Sequence, residues 1–213
     1  MIVRSKVFGI GLNKTGTTTL GVCLQHLGCR HASFDLRLLE QVSAGDLAGL
    51  HRVVDLHDSF EDWPYPLLFE HLDAAYPGSR FILTRRRSPE VWLSSLEAHA
   101  LRTDPAEGSR ARTLAYGCPY PQLARVQYLA RYEAHLVRVR HHFRDRPSQL
   151  LEVCWEEQAD WTPLCGFLGV ETPRVPFPHA NAATLPKPER LLQNQEAIRR
   201  LSADAGGDDP PVP

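Results

Sequence analysis

The stretch that most constrains this chain is VFGIGLNKTGTTTLGVCLQHLG, residues 7–28. A short apolar run leads into Gly11, four residues separate Gly11 from Gly16, and threonines then open a pattern with Leu20, Leu24 and Leu27 on one helical face, closed by Gly28. Strand, glycine loop and helix in that order make an anion cradle. Glycines let the backbone come close, amide N–H groups turn inward, and the helix N-terminus adds partial positive charge. The candidate anion set is Asn13, Lys14, Thr15, Gly16, Thr17, Thr18 and Thr19. Only three of the 24 basic residues are lysines, Lys6, Lys14 and Lys187, so a lysine inside this loop stands out.

Further along, RVVDL (52–56), RFILT (80–84) and QLLEVC (149–154) read, like residues 6–10, as buried strands. Helices are expected over 65–76, stopped by Pro77-Gly78, from Ser88-Pro89-Glu90 onward, and over about 122–143. The alternation predicts an α/β fold of three layers, with a central, mostly parallel sheet and helices on both faces, and the GxxxxG loop between strand and helix makes the expectation P-loop NTPase-like. At 213 residues and 24.0 kDa the chain fits one domain, taken as 1–202, and the Pro/Gly-rich residues 203–213 read as a disordered tail.

The net charge of −1 gives no support for broad nucleic-acid or anionic-membrane binding, so any anion site must be local. No apolar run approaches a membrane span. Five cysteines without CxxC spacing read as reduced core thiols, which predicts a cytoplasmic protein. His141 and His142 are adjacent and cannot share one metal on a helix, so no metal site is expected.

In ATP- and GTP-binding loops, lysine follows the second glycine. Here Thr17 and Thr18 follow Gly16, and Lys14 stands two residues before it, where it reaches an anion from the side of the loop. KTGTT, Lys14 to Thr18, resembles the 5′-phosphosulfate loop of the sulfotransferases that use 3′-phosphoadenosine 5′-phosphosulfate (PAPS) and release 3′,5′-adenosine bisphosphate (PAP). The small bacterial and fluke-type branch is the most similar: HDSFEDWPYPLLFEHLDAAYPGSRFILT, ARYEAHLVRVRHHFRDRPSQLLEV and WTPLCGFLGVETPRVPFPHAN extend the likeness over about residues 6–185. The resemblance implies sulfuryl transfer from PAPS without a metal, with Lys14 stabilising the leaving phosphate oxygen.

It also implies a second anion site for the nucleotide's 3′-phosphate. In the family a strand is followed by an Arg, a Trp five residues on and a Ser eight on. FILTRRRSPEVWLSSLEAH fits with Arg87 and Ser95, and Arg86 with Ser94 keeps the same separation as the alternative.

The base that takes the acceptor's proton is expected after the second strand, in DLHDSFEDWP. The family branch implies an acidic base, with Asp58 first; Asp62 and His57 are the alternatives. Phe60, Trp63 and Tyr65 form an expected aromatic wall for an aromatic or apolar alcohol, with Asp62 and Arg131 beside it; an amine is the other acceptor class. Arg131, Tyr132 and His135 sit on one turn of the long helix, and His179 or Asn181 in PFPHAN are further contact candidates. The rivals are a magnesium-dependent small-molecule or nucleotide kinase, with Asp55 as its carboxylate, and a non-catalytic nucleotide-binding protein. Oligomeric state is not legible.

Overall fold

The structure is a computed structural model that describes residues 5–178 and 187–205. Five parallel strands form its sheet: β1 (Val7–Gly9), β2 (His31–Ala32), β3 (Ser59–Phe60), β4 (Arg80–Thr84) and β5 (Leu150–Val153), in the order β2-β3-β1-β4-β5. β1 lies between β3 and β4, with Phe8 opposite both Phe60 and Phe81. The chain departs from β1 to one side for β2 and β3 and to the other for β4 and β5. The loops leaving β1, β3, β4 and β5 therefore converge at one sheet edge, the place where such folds bind ligands.

The strands are covered on both faces because their residues alternate between two cores. Phe8, Phe60, Phe81 and Leu83 pack on one side with Trp92, Tyr128, Tyr132 and Phe143. Val7, Ile82 and Val153 pack on the other with Leu20, Leu24 and Leu164. On this second face lie α1 (Thr17–His26) and α8 (Thr162–Leu168). The first core is roofed by α2 (Leu36–Ser43), α3 (Ala48–Leu56), α4 (Phe69–Ala75), α5 (Pro89–Ala100), α6 (Pro105–Tyr116) and α7 (Arg125–His142). The three-layer α/β expectation holds.

One expected strand is a helix. RVVDL belongs to α3, which buries Leu50 and Val54 and leaves Leu56 64% exposed. Spacing of four residues is the helical repeat, and a five-residue window was too short to separate it from a strand. The strands that do flank β1 on that side, β2 and β3, are two residues each. The helix expected over 65–76 begins as a 3-10 turn, Tyr65–Leu68, and continues as α4.

A last helix, α9 (Pro188–Ala205), reaches three residues into the segment expected to be disordered; residues 206–213 lie outside the described residues. Asn194 pins this helix down. Its Nδ2 donates to the carbonyls of Leu101, Thr103 and Arg190, and its Oδ1 accepts from Tyr120. With every one of these bonds made inside the protein, a fully buried amide costs little. It ties α9 to the 101–104 loop between α5 and α6.

Candidate functional site

The carboxyl edge of the sheet opens into a cleft of about 1010 Å³. Its floor is the glycine loop. Gly11 has no room for a side chain, since a Cβ would meet the Thr84 hydroxyl and carbonyl. Gly16 has φ 92, and a Cβ there would strike Trp155, whose indole Nε1 donates to the Gly16 carbonyl at 3.2 Å. Thr15 Oγ1 lies 2.6 Å from both the Leu12 carbonyl and Thr84 Oγ1, tying the loop to β4. Asn13 is fixed by Trp92, which donates to its carbonyl at 2.9 Å, and by Tyr116, which donates to its Oδ1. From below, the ring of His135 lies 2.7 Å from the Ile10 carbonyl through Nε2. Burial pushes this histidine's pKa down to about 4, so the ring is neutral and donates.

These contacts hold Lys14 in a left-handed backbone conformation, φ 68, which non-glycine residues adopt only when the surroundings impose it. Lys14 is half-buried and lines the cleft. Burial lowers its pKa, Arg102 and Arg86 lower it further, and Asp62 opposes them.

Asp62 leaves β3 on the same edge and lines the same cleft. It too is left-handed, φ 65, a conformation Asp tolerates better than most residues. Its Oδ1 accepts from the Trp63 amide at 2.7 Å, and nothing else among the described residues bonds its carboxylate. Burial raises its pKa to about 7, helped by the neighbouring Glu61 and opposed by the Trp63 amide and Lys14.

Asp58 and His57 lie elsewhere. They precede β3, so they sit at the amino edge, where the Asp58 carbonyl accepts from the Val7 amide. Asp58 takes three hydrogen bonds at 2.9 Å from Arg30, one from its backbone and two from its guanidinium, which draw its pKa down to about 2. His57 Nδ1 lies 2.8 Å from the Val53 carbonyl, and the His57 carbonyl accepts from Lys6. Neither residue reaches the cleft. The expectation failed because it hung the loop on a strand at 52–56; the true strand starts at Ser59, and everything before it faces the other way.

The aromatic wall also dissolves. Phe60 and Tyr65 are at most 1% exposed and pack in the core, Phe60 stacked on Phe8 at 4.8 Å, and only Trp63 faces the cleft. Arg131 is exposed on the outer side of α7 and lines no part of the cleft. Tyr132 and His135 instead support the loop's surroundings: Tyr132 stacks on Trp92 at 4.5 Å and accepts from the Arg86 amide at 3.0 Å. His179 and Asn181 lie outside the described residues.

Of the two pairs expected for the second anion site, one member of each reaches the cleft. Arg86 and Ser95 line the cleft; Arg87 and Ser94 are exposed. Arg85 lines the cleft too, but its amide bonds the Val153 carbonyl at 2.9 Å and its guanidinium is taken up by Glu152 and Glu157. Arg86 Nη2 pairs with Glu156 at 2.9 Å, while its Nε is buried with no hydrogen-bond partner among the described residues. On α5, capped by Ser88 and opened by Pro89, Ser95 and His99 are four residues apart and face the cleft together.

Several cleft residues were not anticipated: Trp155 and Phe177, which face one another at 5.1 Å, and His99, Arg102, Arg112 and Arg190. For Arg112 a signal existed: Asp104-Pro105 with Gly117 marks the cap, first position and stop of α6. Arg102 and Arg190 reach the cleft only through the folding of α9 onto the 101–104 loop.

Among the described residues, no cluster of three His, Cys, Asp or Glu side chains could hold a metal, and no helix is long and apolar enough to cross a membrane. Comparison with known proteins agrees with this geometry. A protein of Aspergillus versicolor, Ava biosynthesis cluster protein M, is 29% identical to this chain over 213 aligned positions, covering 82% of this chain and 80% of that protein. The family model for the sulfotransferase domain matches residues 6–185, the span that holds the glycine loop, Asp62, Arg86, Ser95 and the α6 arginine, and the chain belongs to that family.

Proposed function

We propose that the protein transfers the sulfuryl group of PAPS to a hydroxyl, or an amine, of a small-molecule acceptor, with Lys14 and Asp62 as its catalytic residues. The observation that carries this reading is that two left-handed residues, one after β1 and one after β3, put an ammonium and a carboxylate of raised pKa into the same cleft.

The residues fit the donor. The loop leaves no room for side chains at Gly11 and Gly16, as close approach of an anion requires. Thr17, Thr18 and Thr19 line the cleft at the start of α1 and would take the 5′-phosphosulfate with Asn13, Thr15 and Lys14. The unpartnered Nε of Arg86, with Ser95, would take the 3′-phosphate. Trp155 and Phe177, tilted at 45° to one another, offer aromatic faces beside the loop for the adenine. When bound, PAPS supplies the sulfuryl group and leaves as PAP. Lys14 holds its cation at the side of the loop where the leaving oxygen gathers charge, and Asp62 accepts the proton of the acceptor hydroxyl at a carboxylate oxygen. A carboxylate with a pKa of about 7 is half ionised at neutral pH and basic enough to take a proton as the new bond forms. A related protein is named for a biosynthesis cluster, which supports a small metabolite as acceptor.

A thermal-shift titration tests the reading. PAP without magnesium at 100 times its Kd is expected to stabilise the protein by about 2.7 kcal/mol, or roughly 5–10 °C in Tm. Stabilisation by ATP only with magnesium would turn the reading toward a kinase. No response to either would favour a non-catalytic protein.

A further inference from the structure

One wall of the cleft is formed by the 101–104 loop, α6 and α9, with Arg102 near enough to Lys14 to lower its pKa. It was expected to be aromatic and apolar. Instead it presents three arginines, Arg102, Arg112 and Arg190.

Arg112 is the most constrained of them. It is 2% exposed on α6, yet no carboxylate pairs with it among the described residues. Its Nε donates to the Pro119 carbonyl, its Nη1 donates to Thr103 Oγ1 at 3.2 Å, and the guanidinium lies over the Tyr120 ring at 5.1 Å. Its Nη2 is buried and has no partner among the described residues. A buried cation left without a counter-charge is an expensive arrangement for a protein to keep. Gly108, one turn earlier, makes room for it: a Cβ there would lie 2.5 Å from Thr103 Oγ1 and 3.1 Å from Arg112 Nη1.

The indole N–H of Trp63, also buried on a residue that lines the cleft, likewise has no partner among the described residues. Trp63 packs at 5.3 Å on Tyr116, which follows Arg112 by one turn of α6. Both donors are buried without a partner among the described residues and call for acceptor atoms from outside the chain. Arg102 and Arg190 are half-buried, and neither has a side-chain ion pair among the described residues. Two carboxylates border this wall, Asp104 and Glu107, and both are exposed; Asp104 already caps α6 through the Ala106 and Glu107 amides. His99 lines the cleft as well. Lys14, Arg112 and Arg102 are all near enough to add to the burial that lowers its pKa to about 3, so it stays neutral between them.

From the two buried orphan donors and the arginines around them, we infer that the acceptor carries an anionic oxygen group, a carboxylate or its equivalent, which Arg112 and Trp63 receive and Arg102 and Arg190 neutralise. Its nucleophilic hydroxyl then lies toward Lys14 and Asp62. This rests on the sulfotransferase reading above and names the acceptor class for the same cleft.

The experiment uses the full chain saturated with PAP and two matched probe pairs, 3-(4-hydroxyphenyl)propionate against its amide and 6-hydroxyhexanoate against its amide, with binding followed by calorimetry. At least one acid is expected to bind roughly 10- to 100-fold more tightly than its amide, the range of a charge-assisted hydrogen bond. Arg112→Met could disturb α6, so Arg102→Gln and Arg190→Gln carry the test. Each should reduce the preference for the acid while leaving PAP affinity unchanged. Equal behaviour of acid and amide in both pairs, including no binding by any probe, overturns the inference. So does a preference that survives both substitutions. Weakened PAP or PAPS binding in these variants would assign the arginines to the donor's own anions and also overturn it. If the unmodified protein ignores PAP, the donor reading itself fails and this inference falls with it.

Discussion

Asp58 and Asp62 are four residues apart and stand at opposite edges of one sheet. β3 is only two residues long, yet it carries the chain from the amino edge to the carboxyl edge. At the first edge Asp58 meets Arg30, gathers three donors and is drawn down to about 2. At the second Asp62 is half-buried, has one backbone donor and a second carboxylate for a neighbour, and is driven up to about 7. The same functional group is an inert structural anion in one place and a basic carboxylate in the other. What distinguishes them is which end of the strand they occupy, because only the carboxyl edge collects the loops of β1, β4 and β5.

The widest test of this contrast is Asp62→Asn. Turnover should fall by ~10²–10⁴-fold, the usual worth of a positioned base, while PAP affinity stays within twofold. In the unmodified enzyme kcat should rise with pH through an apparent midpoint near 7; a rate flat from pH 5.5 to 8.5 would remove Asp62 from the mechanism.

A second effect of the same variant has the opposite sign. The folded protein raises the pKa of Asp62 above its unfolded value, so the proton-bound form is favoured in the fold. That contribution is complete below about pH 4 and is lost as pH rises through about 7. Asp62→Asn, which cannot ionise, should therefore gain Tm over the wild type at pH 8 and lose that gain by pH 5, measured by thermal melts across the range.

Gly16→Ala probes the floor that both aspartates do or do not face. The position has φ 92, and the added Cβ would meet Trp155 at 2.4 Å. A cost of about 1–3 kcal/mol in stability is expected, with weakened PAP binding, since the loop must move to accommodate the methyl.

Asp58→Asn should leave kcat and KM unchanged and lower Tm at pH 7 by roughly 2–4 °C. Here the folded pKa lies below the unfolded one, so the deficit is present above about pH 4 and fades as pH falls toward 2. A tenfold loss of turnover in this variant would restore the amino edge as a functional site. The smallest effect is expected for Arg131→Ala, whose exposed side chain on α7 should change neither rate nor stability measurably.

Much of the glycine-loop end was legible because it is local. The anion loop lies in one unbroken stretch, Gly11 to Thr19, and its glycine spacing, its displaced lysine and the helix that follows are fixed by the residues themselves. Even there a one-residue ambiguity remained: RRR could not say whether Arg86 or Arg87 turns inward, since that depends on how far β4 stays bonded to β5.

The arginine-lined wall of the cleft was not legible, because no contiguous stretch encodes it. Trp63, His99, Arg102, Arg112 and Arg190 come from four separate stretches of the chain, brought together by α5, α6 and a helix, α9, that Asn194 fastens from the far side. The candidate base was misassigned for the same reason. A two-residue strand leaves almost no periodic signal, but its position decides which carboxylate faces the cleft. By itself, then, the sequence determined the anion cradle and the layered α/β class, since short-range spacing and alternation specify both. The tertiary structure alone decided which aspartate, which arginine and which aromatic face the cleft, because facing is set by where a strand begins and by long-range packing.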